Sequence, residues 1–279
     1  MWKAAPILPA LTALCALFIA PIGVLGIVSF YQMAGPGTVG DVASLENYQN
    51  FLSDSFYLRI IGNTFLLGGL VVFFCLLIGY PVSYALARSH SSWRGFLLFL
   101  VVSPLLVSSV VRSIGWFPIL SNEGLINWSL MKIGLISTPL PLISNFTGIV
   151  IGLVNASLPF MILTLVTVIQ RIGFDLEEAA ASLGASPMNV FFRVVVPLSV
   201  PGAAGGALIV FSMAIAAYTT PVIMGGNRTL LMATFIAQQF RTVLDYALGA
   251  TTAVILLVLV TALSLVATRL SREGGVQAR

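Results

Sequence analysis

The chain has 279 residues, of which 58% are hydrophobic and only 8% charged. Soluble domains carry about 25% charged residues, so the composition excludes an ordinary soluble protein and points to one polytopic membrane domain. A net charge of +4 does not argue for nucleic acid, because in a membrane chain the placement of positive charges matters more than their sum.

A spanning helix needs about 20 apolar residues, and lipid offers no partner to an unpaired backbone group, so apolar runs of that length are read as helices. The pattern predicts about six, at residues 7–30, 60–87, 96–118, 146–169, 202–223 and 247–268. The first, behind Lys3, is too long for a signal-peptide core and lacks a convincing cleavage site, so it reads as a retained anchor. Residues 1–59 are thus an N-terminal helix with an outer segment, 60–268 the main transmembrane domain, and 269–279 a tail. Residues 45–51 read either as a short amphipathic helix on the membrane surface or as a plain loop. Residues 120–145, with Gly124, Gly134, Pro139 and Pro141, read as a structured outer loop or a re-entrant piece.

With the N-terminus inside, Lys3, Arg88, Arg94, Arg171, Arg193, Arg269, Arg272 and Arg279 face the cytoplasm. These are eight of the thirteen Lys and Arg residues, a bias that favours both termini inside. Residues 175–201 then fall in the cytoplasm between spans four and five. This stretch holds three of the nine acids, Asp175, Glu177 and Glu178. It reads as two short helices with a bend. Carboxylates in a first turn suit the helix dipole, and Ala179–Ala181 are strong helix formers. Gly184 suits a left-handed helix end, Ser186 an N-cap and Pro187 a first helical position. Pro197 and Pro201 are expected to break the second helix, and Pro159 and Pro221 to break spans four and five.

Chemistry-bearing groups are sparse. The sequence has no Walker A motif, no metal-ligand spacing and no triad; His90 sits in a loop beside Arg88 and Arg94, and Cys15 and Cys75 lie in apolar runs. Arg112 is flanked by Val110, Val111, Ile114 and Trp116. It either snorkels to the outer interface or holds a gate, since charge inside a span is costly. Asn155, Tyr218, Thr219 and Thr220 are polar groups inside spans that serve helix–helix hydrogen bonding or line a path. Gly202 and Gly206, four residues apart, permit close helix packing.

Glu178-Ala179-Ala180, Gly184, Val194, Val196 and Pro197 together resemble the EAA loop of ABC-importer permeases. That pattern is E-A-A, three residues, G, nine residues, I, one residue, L-P; here valines keep the apolar character at the Ile and Leu positions. Tyr80-Pro81-Val82-Ser83-Tyr84-Ala85-Leu86-Ala87, Arg112-Ser113-Ile114-Gly115-Trp116, Gly124-Leu125-Ile126-Asn127 and Leu158-Pro159-Phe160-Met161 are similar to spermidine/putrescine-type permeases. The likeness runs from about residue 45 to the end.

The resemblance implies an all-α membrane protein with the type I ABC importer permease fold. It implies a multi-pass subunit of the bacterial inner membrane, with a cytoplasmic coupling helix between spans four and five. Its expected partners are a second, non-identical permease, two copies of an ATP-binding subunit and a periplasmic substrate-binding protein. The chain itself is expected to be no enzyme and to hold no cofactor, ATP and Mg²⁺ being on the partner ATPase. Coupling is assigned to Glu177, Glu178, Ala179, Ala180, Gly184, Ala185, Ser186 and Pro187, with Glu178 in a groove of the ATPase. Arg112, Trp116, Asn155, Tyr218 and Thr219 are the substrate-path candidates. The expected solute is polyamine-like, with an opine or another small organic solute as the alternative. An ion-coupled secondary transporter is the competing class, and the predicted spans lack the midplane acid it would use.

Overall fold

A computed structural model describes residues 8–89, 93–226 and 229–276. Lys3, His90, Arg228 and Arg279 lie outside the described residues. In chain order the elements are α1 (Leu8–Val28), β1 (Tyr31–Gly35), β2 (Thr38–Ala43), α2 (Glu46–Ser53), α3 (Ser55–Arg88), α4 (Arg94–Val102) and a 3₁₀ turn, Ser103–Leu106. There follow α5 (Ser109–Gly115), α6 (Phe117–Leu120), α7 (Leu125–Lys132), α8 (Phe146–Arg171), α9 (Phe174–Ser182) and α10 (Pro187–Val190). A π-helical turn, Phe191–Val195, leads into α11 (Val196–Ile215), then α12 (Thr219–Met224), α13 (Met232–Gln238), a second π turn, Gln239–Val243, and α14 (Tyr246–Val276).

Four helical stretches among the described residues are long and apolar enough to cross a membrane: Ser55–Arg88, Phe146–Arg171, Pro187–Ile215 and Tyr246–Ala267. The third predicted span is not one rod. Arg94–Leu106 and Ser109–Lys132 meet at a bend of 101°. α1 is apolar throughout, but the part whose side chains are described, Thr12–Val28, is shorter than a span.

Prolines act differently from expectation. Pro159 lies inside an unbroken α8, and Pro197 and Pro201 lie inside a helical run that continues from Pro187 to Ile215. Pro197 falls in the first turn of α11, directly after the π turn, where the i→i−4 ladder is already altered. Span five does break, but at residues 216–218, before Pro221, which sits in the first turn of α12 where a missing N–H costs little.

The described residues group into two units. The first holds the chain up to Gly62 together with Leu230–Thr261. Its core is Phe51, Ile60, Met232, Phe235 and Ile255. Phe51 stacks on Tyr57 with ring centroids 4.6 Å apart. Of the two readings of residues 45–51, the helix holds: α2 buries Phe51 fully and leaves Glu46, Gln49, Asn50, Leu52 and Ser53 exposed. This unit also contains an element that an all-helical reading omits, the antiparallel hairpin of β1 and β2. Its turn places Gly37 at φ +77° and aims the Gly37 N–H at the Leu244 carbonyl, 2.8 Å away. Thr251 Oγ1 donates to the Ser29 carbonyl at 2.9 Å, and Ser29 Oγ meets Tyr48 Oη at 2.6 Å, so the buried polar groups at the end of α1 are satisfied.

The second unit, Asn63–Thr229 with Ala262 onward, is built around α8. Of the spanning windows, that of α8 is 61% buried and the others at most 28%, which makes α8 the central helix. α11 approaches it closely because two glycines face it. A Cβ on Gly202 would stand 2.1 Å from Val168, and one on Gly206 would stand 3.2 Å from Met161 and Thr164. On α3, Gly68 makes room for Phe211 and Ile215 in the same way. Ser83 Oγ donates to the Ile162 carbonyl at 3.1 Å, tying α3 to α8. The segment after α6 is ordered by one side chain. Asn127, fully buried, donates to the carbonyls of Ser121 and Leu140 and accepts from the Leu140 N–H at 2.8 Å.

Gly202→Ala is expected to lower the thermal midpoint of the purified protein, since overpacking a close contact costs about 1–3 kcal/mol. Adding Val168→Ala is expected to recover most of that loss. A thermal scan of the single and double variants in detergent checks it.

Candidate functional site

Between α8 and α11 the chain leaves its long helices and forms a small polar-and-apolar knuckle. α9 starts behind Gly173, which offers no side-chain cap, and Asp175 and Glu177 in its first turn interact favourably with the helix dipole. Its end is a Schellman motif. The Ala185 N–H bonds the Ala180 carbonyl at 3.1 Å and the Gly184 N–H bonds the Ala181 carbonyl at 2.9 Å. Gly184 takes φ +86° to make this possible. Ser186 then caps α10, its Oγ accepting the Asn189 N–H at 3.4 Å, and Pro187 is the first helical residue.

The two neighbouring glutamates part company here. Glu177 is buried at 6% exposure, whereas Glu178 is exposed. Arg88 Nε donates to Glu177 Oε1 at 2.7 Å, and Arg88 Nη2 approaches the same oxygen at 2.5 Å. Tyr84 Oη donates to Glu177 Oε2 at 2.8 Å. Arg88 Nη2 also donates to the Ile172 carbonyl at the end of α8, at 3.1 Å. Removing one partner of such a buried pair costs about 3–5 kcal/mol. Ala179, Gly184, Ser186 and Pro187 are exposed, and Ala180 and Ala185 are half-buried. Around them stand large apolar side chains open to solvent: Phe174, Leu176, Met188, Phe192 and, at 90% exposure, Leu183. A concavity of about 350 Å³ opens between the Gly184 turn and the first residues after it, lined by Ala180, Asn189, Arg193 and Val194 among others. The stretch from α9 to α10 thus carries an exposed carboxylate, several exposed apolar side chains and a shallow hollow.

The path candidates fall in two places. Trp116 and Asn155 line one cleft of about 380 Å³ with Phe74, Ile78 and Val154. Asn155 also borders a second cleft of about 580 Å³ between α3, α4 and α8. Tyr218 and Thr219 sit at the break in span five, Tyr218 as the residue before α12 and Thr219 as its first. Arg112 is in neither cleft. Its Nη1 donates to the Pro104 carbonyl at 2.9 Å, across the bend that precedes α5. The break and the bend are close: Ser113 Oγ of α5 donates to Thr220 Oγ1 of α12 at 3.3 Å, both buried.

Sequence reasoning gave no site role to Tyr80, Tyr84, Arg88 or Ser199, although the two tyrosines stood in a family-like motif. Arg88 counted only as an inside charge. The available signal was the spacing, since residues four apart share a helix face.

Residues 79–273 match the family described as binding-protein-dependent transport system inner membrane component. A spermidine/putrescine transport system permease protein, PotB of Haemophilus influenzae, is 34% identical over 232 residues, covering 83% of this chain and 81% of that protein. PotB of Escherichia coli strain K12 is 32% identical over 255 residues, covering 91% and 92%. In fold the chain is similar to one in the crystal structure of a bacterial alginate ABC transporter, with a TM-score of 0.78, 18% identity, and coverage of 96% of this chain and 93% of that one.

Gly184 has open space where a Cβ would stand, so only its backbone conformation restricts it. Gly184→Val is expected to strain the turn by about 1–3 kcal/mol and to speed proteolytic cleavage there. Gly184→Asn, which enters the left-handed region more readily, is expected to leave cleavage near the native rate. Limited proteolysis of the three proteins side by side checks it.

Proposed function

The chain belongs to the family of binding-protein-dependent transport system inner membrane components, and on that premise we propose that it forms half of the path of an ATP-driven polyamine importer. It is a multi-pass inner-membrane protein with the type I importer permease fold, and a transport subunit rather than an enzyme. The observation that carries the proposal is the knuckle of α9 and α10: an exposed Glu178 and exposed apolar side chains on a turn between two spans. That is what a docking face for an ATPase needs.

The proposed partners are two copies of an ATP-binding subunit, a second and non-identical permease, and a periplasmic binding protein that delivers solute. Both termini and the knuckle face the cytoplasm. ATP and Mg²⁺ belong to the ATPase, since this sequence has no Walker A motif. ATP binding closes the ATPase dimer, the seated knuckle moves with it, and the spans shift as rigid bodies between inward-open and outward-open packings. A spermidine/putrescine-type solute follows from the relatives' names. Among the described residues no carboxylate lines either cleft at Asn155, so we assign the choice of solute mainly to the binding protein.

The complex of this chain with its neighbouring permease, ATPase and binding protein, reconstituted in proteoliposomes, is expected to import spermidine or putrescine only with ATP. Glu178→Ala is expected to abolish import while the protein still inserts. Import driven by a proton gradient without the ATPase would remove the proposal. Native mass spectrometry is expected to find one copy of this chain per complex.

Among the described residues the Arg112 guanidinium makes one hydrogen bond, to the Pro104 carbonyl, and a single contact of that kind does not need a planar fork. Arg112→Lys is expected to keep most uptake and Arg112→Met to lose most of it, at matched insertion. Equal loss in both would mean a forked contact to another subunit.

A further inference from the structure

Tyr80, Tyr84 and Arg88 stand four residues apart on α3 and so share one face. Between them they hold three parts of the chain around the knuckle. Tyr80 Oη lies 3.2 Å from Ser199 Oγ of α11. Tyr84 Oη donates to Glu177 of α9. Arg88 holds both Glu177 and the Ile172 carbonyl that ends α8. Phe191 of the π turn fills the space between, its ring 5.2 Å from Tyr84 and 6.3 Å from Tyr80.

We infer that this face is the joint through which the knuckle drives the spans, with Tyr84, Arg88 and Glu177 as positioning residues. The inference rests on the importer reading above. α9 has nine residues, too few to be a stable helix alone, and most of its surface is exposed. A push on it would be lost in the Gly184 turn unless something fixes α9 to a span. Apolar contact resists separation but allows sliding. A buried carboxylate held on both oxygens by directed, charge-assisted donors resists sliding too. An apolar substitute would often match such a pair for stability, so the pair's distinct contribution is registry. Because Arg88 also holds the Ile172 carbonyl, directly after α8, one guanidinium ties α3 to α9 and to the end of α8, and Tyr80 adds α11.

The test uses the whole complex in proteoliposomes and reads the solute imported per ATP hydrolysed, together with co-purification of the ATPase. Arg88→Met and Glu177→Gln are each expected to lower that ratio about tenfold, and Tyr84→Phe about threefold, within the range by which mutations along a coupling network act. Reversing the pair, Arg88→Glu with Glu177→Arg, is expected to restore more than either single variant retains. A wild-type ratio in both single variants would overturn the inference, as would a reversed pair no better than the better single. Where Arg88→Met fails to insert, Tyr84→Phe and Arg88→Lys decide on the same criterion. A wild-type complex that neither imports with ATP nor retains the ATPase would overturn the importer reading, and this inference with it.

Discussion

Every polar group of a backbone in lipid must find its partner inside the protein, because the surrounding solvent supplies none. Long unbroken helices meet that demand without help. Each place where a helix stops therefore needs a local repair, and the repairs in this chain are side chains of consequence. At the 101° bend, Arg112 covers the Pro104 carbonyl. At the end of α8, Arg88 takes the Ile172 carbonyl. Irregular backbone is tolerated only where protein or water lies against it, so the broken places are also the ones open to a path or a partner.

What lies between the breaks is stiff. α8 is central because it is packed from several sides, and glycines on α3 and α11 bring those helices close. Close packing leaves few intermediate arrangements, so such helices move as units. In the proposed importer, displacement at the knuckle passes into the spans provided that the knuckle is fixed to them.

Much of this was legible in the chain itself. Apolar length located α3, α8, α11 and α14, because helix is the sole local solution for such a run in lipid. The turn at 184–187 was legible to the residue, since the left-handed glycine, the serine cap and the first-turn proline each answer a local backbone need. The prolines were misread. A missing N–H is a local fact, but whether it breaks a helix depends on neighbours, and packing around α8 and the π turn before α11 absorb it. The hairpin at residues 31–43 was missed because its strands are short and largely exposed, so no strong alternation marks them. Which residues share the joint could not be read either, since Tyr84 and Glu177 lie 93 positions apart.

The division between Glu177 and Glu178 shows why spacing alone leaves such questions open. Adjacent residues on a helix point about 100° apart, so one of two neighbouring carboxylates faces inward while the other faces out, and sequence does not say which. The proposed function requires both. A carboxylate that fixes α9 to α3 must keep its partners through the whole cycle, and burial against Arg88 and Tyr84 provides for that. A carboxylate offered to an ATPase must exchange one set of contacts for another, and exposure keeps that exchange inexpensive because little desolvation is at stake. In the proposed importer the pair thus separates a permanent internal contact from a renewable external one, and the motif glutamate is the outer of the two.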